Sequence, residues 1–202
     1  MKFISPLFLI FFAIVTLTNC KKSMPKKAVG ETITIDAFEV DKKELVLNQI
    51  EAKWYYKGQP YNGYSIKYHS NGTVEERLGF YKGKREGVAK RWSKNGVLRV
   101  ESFYKNNRLN GTYKSWWENG TLGSEATYAH GKLNGIEKKW YPTGVLAKER
   151  QLVNGNEEGL QKAWLQNGTL YVNYEAKNGR IFGMKRANSC YQLEDEVVVR
   201  SK

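Results

Sequence analysis

Cysteine and histidine each occur only twice in this chain, as Cys20 and Cys190 and as His69 and His130. Two cysteines cannot form the multi-bridge framework of a small disulfide scaffold. A Cys20–Cys190 bridge would have to join residues beyond opposite ends of the repeat array described below. With Cys20 committed elsewhere, Cys190 is the one remaining thiol: a small buried hydrophobe, or alternatively a redox or metal-accessory group. The sequence also lacks Cys-x-x-Cys and His-x-x-His spacing, an ordered Ser/His/Asp set and a phosphate-cradling glycine loop. These gaps argue against catalysis, a resident metal and a cofactor. Acids are scarce, 20 Asp and Glu against 33 Lys and Arg, for a net charge of +13. That balance favours anionic partners.

Long apolar runs are missing except at the N-terminus, where Met1 to Cys20 reads MKFISPLFLIFFAIVTLTNC. Lys2 precedes an apolar stretch from Phe3 to Leu17 that is short for a bilayer span. Charged start, apolar centre and short polar end form the pattern of a secretory signal. The closing Leu17-Thr18-Asn19-Cys20 resembles the lipobox of bacterial lipoproteins. That resemblance implies removal of residues 1–19 as a signal peptide and lipidation of Cys20. An ordinary cleaved signal and an uncleaved anchor are the alternatives. All three place the body outside the cytoplasm, in the bacterial cell envelope, facing the periplasm or held at the outer membrane. The expected partners are membrane lipid through acylated Cys20 and a protein or anionic envelope polymer, with no nucleic acid.

Glycine is plentiful, and its spacing organises the rest. Gly63, Gly87, Gly111, Gly135, Gly159 and Gly183 are 24 residues apart, and Gly72, Gly96, Gly120, Gly144 and Gly168 keep the same interval. A period of this size marks a stacked array of one supersecondary unit. In GVAKRWSKNGVLRVESFYKNNRLN (87–110), residues alternate with a period of two around an Asn-Gly turn, the signature of a β-hairpin. A three-residue loop, Lys94-Asn95-Gly96, sets Trp92 opposite Leu98 and joins apolar to apolar in every unit. Glycine closes that loop because its last position needs a positive φ.

The alternation predicts one face bearing Tyr68, Trp92, Trp116, Trp140 and Trp164. Beside them it places Val74, Leu98, Leu122, Leu146 and Leu170, then Phe80, Tyr104, Tyr128, Leu152 and Ala176. The other face is predicted polar, with Arg91, Lys139, Glu101, Glu125, Glu149, Thr121 and Thr169. The segments YKGKREGVAKRWSKNGVL, YKNNRLNGTYKSWWENGTL and YAHGKLNGIEKKWYPTGVL resemble the bacterial variant of the MORN repeat. The resemblance covers about 56–187 and implies an all-β fold, an elongated single antiparallel sheet of stacked 24-residue β-hairpins. Proteins with such arrays are often labelled antitoxins of the YwqK family, which implies neutralisation of a protein toxin as one possible role.

The expected organisation is a signal peptide at 1–19, a lipidated Cys20 with a flexible linker to 30, a β cap at 31–55, the array at 56–187 and a second cap at 188–202. Within the array, His69 and His130 fall on the order of 24 Å apart at strand spacing, too far to share a metal. The candidate binding residues are Lys90, Lys114, Lys138 and Lys162, each two residues before Trp92, Trp116, Trp140 and Trp164. Residues i and i+2 of a strand share a face. A lysine row therefore runs beside an aromatic row: a rail for an extended anionic partner, or lysine stems covering ring edges. The function expected is that of a membrane-anchored, non-enzymatic binding or scaffold module.

Overall fold

The computed structural model describes residues 33–184. The signal sequence, Cys20, the linker, Cys190 and the expected C-terminal cap lie outside the described residues. Four short strands precede the array: β1 (Glu39–Asp41), β2 (Val46–Asn48), β3 (Lys53–Tyr56) and β4 (Gln59–Pro60). The next units supply β5 (Gly63–Tyr68), β6 (Val74–Tyr81), β7 (Lys84–Arg85), β8 (Gly87–Trp92), β9 (Leu98–Lys105) and β10 (Arg108–Trp116). Then come β11 (Leu122–Ala129), β12 (Lys132–Leu133), β13 (Gly135–Trp140) and β14 (Leu146–Val153). The described chain closes with β15 (Asn156–Trp164), β16 (Leu170–Lys177) and β17 (Arg180–Met184). A 14-stranded sheet runs from β1 to β17, and β2, β3 and β4 form a separate 3-stranded sheet. Neighbours in the large sheet are antiparallel, except that β1 lies parallel to β5.

Two kinds of turn alternate. Each hairpin tip has the predicted three-residue loop. Gly96 N–H donates to the Ser93 carbonyl at 2.9 Å, Ser93 N–H donates to the Val97 carbonyl at 2.9 Å, and Gly96 takes φ 79°. Trp92 consequently faces Leu98, as Tyr68 faces Val74, Trp116 faces Leu122, Trp140 faces Leu146 and Trp164 faces Leu170. The hairpins are joined by two-residue turns whose central residues both have positive φ, such as Asn106 (50°) with Asn107 (67°) and His130 (52°) with Gly131 (86°). Such turns match the natural twist of paired strands.

The faces differ from the alternation predicted. Beyond Trp92–Leu98 the next pair is Arg91–Val100, so Arg99 has no partner across the strand. The same bulge recurs at Trp116, Trp140 and Trp164. One extra residue on the returning strand reverses which side its later residues face. The column Phe80, Tyr104, Tyr128, Leu152, Ala176 thus lies on the face away from Lys90 and Trp92. Glu101, Glu125 and Glu149, expected on the opposite face from the lysines, stand directly across from Lys90, Lys114 and Lys138.

The core sits on the face away from the tryptophans. Val40, Leu45 and Tyr61 from the N-terminal strands pack on Leu78, Phe80 and Ala89, with Trp54, Tyr56 and Tyr104 at the margin. Phe80 is wholly buried, with ring centroids 5.7 Å from Tyr61 and 6.1 Å from Trp54. Lys42 closes this region. Its ammonium lies 3.3 Å from Glu76 and 4.7 Å from the Trp54 ring centroid, and burial, partly offset by Glu76, pushes its pKa down. Farther along the same face the apolar residues give way to a polar network. Arg150 reaches Glu137 through Nε at 2.7 Å and Nη2 at 2.6 Å, and Glu157 through Nη1 at 3.6 Å. The Tyr174 hydroxyl donates to Glu157 at 2.6 Å.

Candidate functional site

The face opposite the core carries the residues singled out in the sequence. Along β8 the side chains of Val88, Lys90 and Trp92 point the same way, and every repeat copies the arrangement. The lysine and tryptophan rows therefore run side by side, as their spacing predicts. What the spacing does not reveal is the partner of each lysine. Lys90 meets Glu101 at 3.1 Å, Lys114 meets Glu125 at 3.2 Å and Lys138 meets Glu149 at 3.2 Å. The register continues on both sides of these pairs: Glu101 also faces Lys114, Glu125 faces Lys138, and Glu149 faces Lys162, which in turn faces Asn173. Arg77 stands opposite Lys90 at the other end.

The result is a transverse ladder in which cation and carboxylate alternate from strand to strand between Lys90 and Lys162. The paired side chains are between 33% and 43% exposed, so each ion pair contributes under about 1 kcal/mol. Opposite charges in register favour the native pairing, and a one-residue slip would separate them. The interspersed carboxylates reduce the attraction of this row for a polyanion. A lysine rail would hold counterions for a phosphate or carboxylate chain, whereas these lysines already have carboxylates beside them. The signal was present in the sequence as glutamate 11 residues after three of the four lysines, at 101, 125 and 149. It becomes readable only once the bulge is counted.

Two apolar rows flank the ladder. On the hairpin-tip side, Trp92, Trp116, Trp140 and Trp164 are all half-buried. Their backbone carbonyls border the bulges, and each accepts a hydrogen bond from the preceding repeat. Arg99 Nε donates to Trp116 O at 2.8 Å, Trp117 Nε1 to Trp140 O at 2.9 Å, and Tyr141 Oη to Trp164 O at 2.9 Å. His69 Nε2 sits 2.9 Å from Trp92 O in the equivalent place. Four different side chains thus perform one task, each worth about 1 kcal/mol. This assigns His69 a structural role at a hairpin tip, while His130 occupies a connecting turn on the other edge. No group of three or more His, Cys, Asp or Glu is arranged to hold a metal among the described residues.

On the far side of the ladder, Val88 is 45%, Phe103 38%, Ile136 53% and Leu160 39% exposed. The tip-side row begins in an open groove of about 390 Å³ lined by Ile66, Tyr68, Val74, Arg77 and Trp92, with Glu39 at its rim. Arg77 is held there by Glu39 at 2.9 Å and by the Tyr64 ring, whose centroid lies 3.5 Å from the guanidinium carbon. The arrangement suits apolar contact with charges placed for orientation.

With this geometry in view, three segments of the chain, 85–106, 109–130 and 133–154, match the MORN repeat variant family. The matched segments run from just after one connecting turn to the next and include one hairpin each. The likeness extends over these three hairpin units, and the MORN repeat is generally a non-catalytic module. Among curated proteins, none matches it.

Proposed function

We propose that this protein is a membrane-anchored, non-enzymatic scaffold of the bacterial envelope that binds a protein partner through its tryptophan-bearing face. The observation that carries the reading is the pair of exposed apolar rows on either side of a ladder of ion pairs. Tyr68, Val74, Val88, Phe103, Ile136 and Leu160 are all more than one-third exposed. Apolar surface of this extent on one face marks an interaction site. Alternating charges between the rows favour a partner with its own alternating charges and disfavour a uniform polyanion.

Anchoring rests on the N-terminal pattern: a secretory signal followed by the lipobox-like Leu17-Thr18-Asn19-Cys20, with Cys20 as the acylated residue. Cys20→Ser should abolish incorporation of labelled fatty acid and release the protein from membranes. Retention of label in that variant would reject lipidation at this position. For the binding face, Phe103→Ser with Ile136→Ser should eliminate crosslinks to the envelope partner captured by wild type. Identical crosslinks in both proteins would reject the face. A one-to-one complex with the product of a neighbouring gene would instead favour toxin neutralisation, the role suggested by likeness to the YwqK family.

A further inference from the structure

The ladder holds only four of the chain's 24 lysines and little of its excess charge. Among the described residues, unpaired cations cluster on the edge formed by the connecting turns, opposite the hairpin tips. The first residue after each connecting turn is Lys84, Arg108, Lys132, Asn156 and Arg180 in successive repeats, a basic column interrupted once. Where two repeats meet, Lys84, Lys105, Asn106, Arg108, Asn110 and His130 line a pocket of about 460 Å³. No carboxylate lines it. Glu86, close by in sequence, is buried and accepts the Asn106 N–H at 2.9 Å. Among the described residues, Lys84, Lys105, Arg108 and Lys132 have no carboxylate within ion-pair distance.

This clustering works against the fold. Arg108 stands directly across the strand pair from Lys105, and like charges in that position are destabilising. Elsewhere the same repeat solves the problem with a glutamate opposite each lysine. Turn chemistry does not demand the cations, since equivalent positions hold Ala129 and Val153 in place of Lys105 and Asn156 in place of Arg108. The polar positions are ordered as well: the Asn110 side-chain oxygen accepts the His130 N–H at 3.4 Å, which leaves its amide donors available.

We propose that the Lys84–Lys105–Arg108–His130 pocket is a binding site for a multiply charged phosphate-type oxyanion. A guanidinium fork, two ammonium groups and side-chain amides supply the donors such a group accepts. A singly charged carboxylate would leave most of the local repulsion in place, whereas a phosphate group carries close to two negative charges near neutral pH. The site does not depend on the partner face proposed above and lies on a different part of the sheet.

The full chain titrated with inorganic tripolyphosphate in a calorimeter tests this. Saturable one-to-one binding is expected, weakened about tenfold or more by Arg108→Gln and abolished by Lys84→Gln/Lys105→Gln/Arg108→Gln. Lys114→Gln/Lys138→Gln on the ladder should leave the affinity unchanged, which separates a local site from general charge attraction. A parallel arm uses phosphatidylcholine vesicles with and without phosphatidylglycerol. Turn-edge-dependent binding to tripolyphosphate identifies a soluble phosphate source, and binding to the acidic vesicles alone identifies a lipid headgroup. Absence of binding to both probes, or equal loss in the ladder variant, overturns the proposal. Circular dichroism of each variant verifies that the sheet is intact.

Discussion

One face of the sheet is filled in two different ways, although the repeat puts equivalent positions there throughout. Near the N-terminal strands, Leu78 and Ala89 occupy positions that Arg150 and Glu137 occupy three and two repeats later. The first pair is buried in an apolar cluster with Phe80, Val40, Leu45 and Tyr61. The second is an ion pair through two guanidinium nitrogens, continued by Glu157 and Tyr174. The backbone is the same in both places. What differs is the cover: residues 40–61 lie over the first region with aromatic and aliphatic side chains, where a charge would be left without water or a partner. In the second, polar side chains satisfy one another, and Glu137 remains only 9% exposed. A repeat thus specifies strand pairing, and each copy chooses its own means of closing the face.

The comparison can be broken at its apolar end first. Phe80→Ala should cost about 3–5 kcal/mol of stability, measured by urea unfolding, because the cluster has no side chain able to close the cavity. At the polar end, Arg150→Ala should cost about 3 kcal/mol by leaving buried Glu137 with only the longer 3.5 Å contact to Lys139, whereas Arg150→Leu with Glu137→Leu should be within about 1 kcal/mol of wild type. If the double variant were as damaged as the single one, the ion pair would be contributing more than mutual compensation.

Alkaline titration sharpens the contrast. The hydroxyls of Tyr61 and Tyr174 are each pushed up to about 12, Tyr61 chiefly by burial and Tyr174 by burial together with its bond to Glu157. A raised phenol means that the unfolded chain loses its protons first. Stability should therefore fall as pH rises from about 10, the ordinary tyrosine value, toward 12. Glu157→Gln should bring one tyrosine back toward the ordinary range in a tyrosinate absorbance titration and leave Tyr61 where it is. The smallest effect belongs to the other face. Glu125→Gln in the ladder should change the unfolding free energy by less than about 1 kcal/mol, since both partners are well exposed.

Most of the local structure was legible because it depends on nearby residues. Glycine and asparagine at fixed intervals specify positive φ, positive φ specifies the loop, and the loop places Trp92 against Leu98. The bulge at Arg99 was not legible, because nothing about an arginine two residues beyond a turn says that it lacks a partner across the strand. That omission put Tyr104 on the wrong face and parted Glu101 from Lys90, as the equivalent bulge at Glu75 did for Phe80. For the candidate site, the lysine and tryptophan rows were identified correctly as neighbours. The partners of the lysines were not legible, because the carboxylates opposite them come from neighbouring strands, and the uncompensated cations at 84, 105 and 108 belong to three strands around two turns.

The amino-acid sequence by itself determined the period, the hairpin-tip loop and the apolar pairing at each tip, since these follow from backbone conformations that glycine and asparagine adopt most readily. Only the tertiary structure decided which face is buried, which lysines are neutralised and where the excess positive charge gathers. The physical reason is that burial and charge balance depend on strands brought together from distant parts of the chain, and one bulged residue is enough to exchange the two sides.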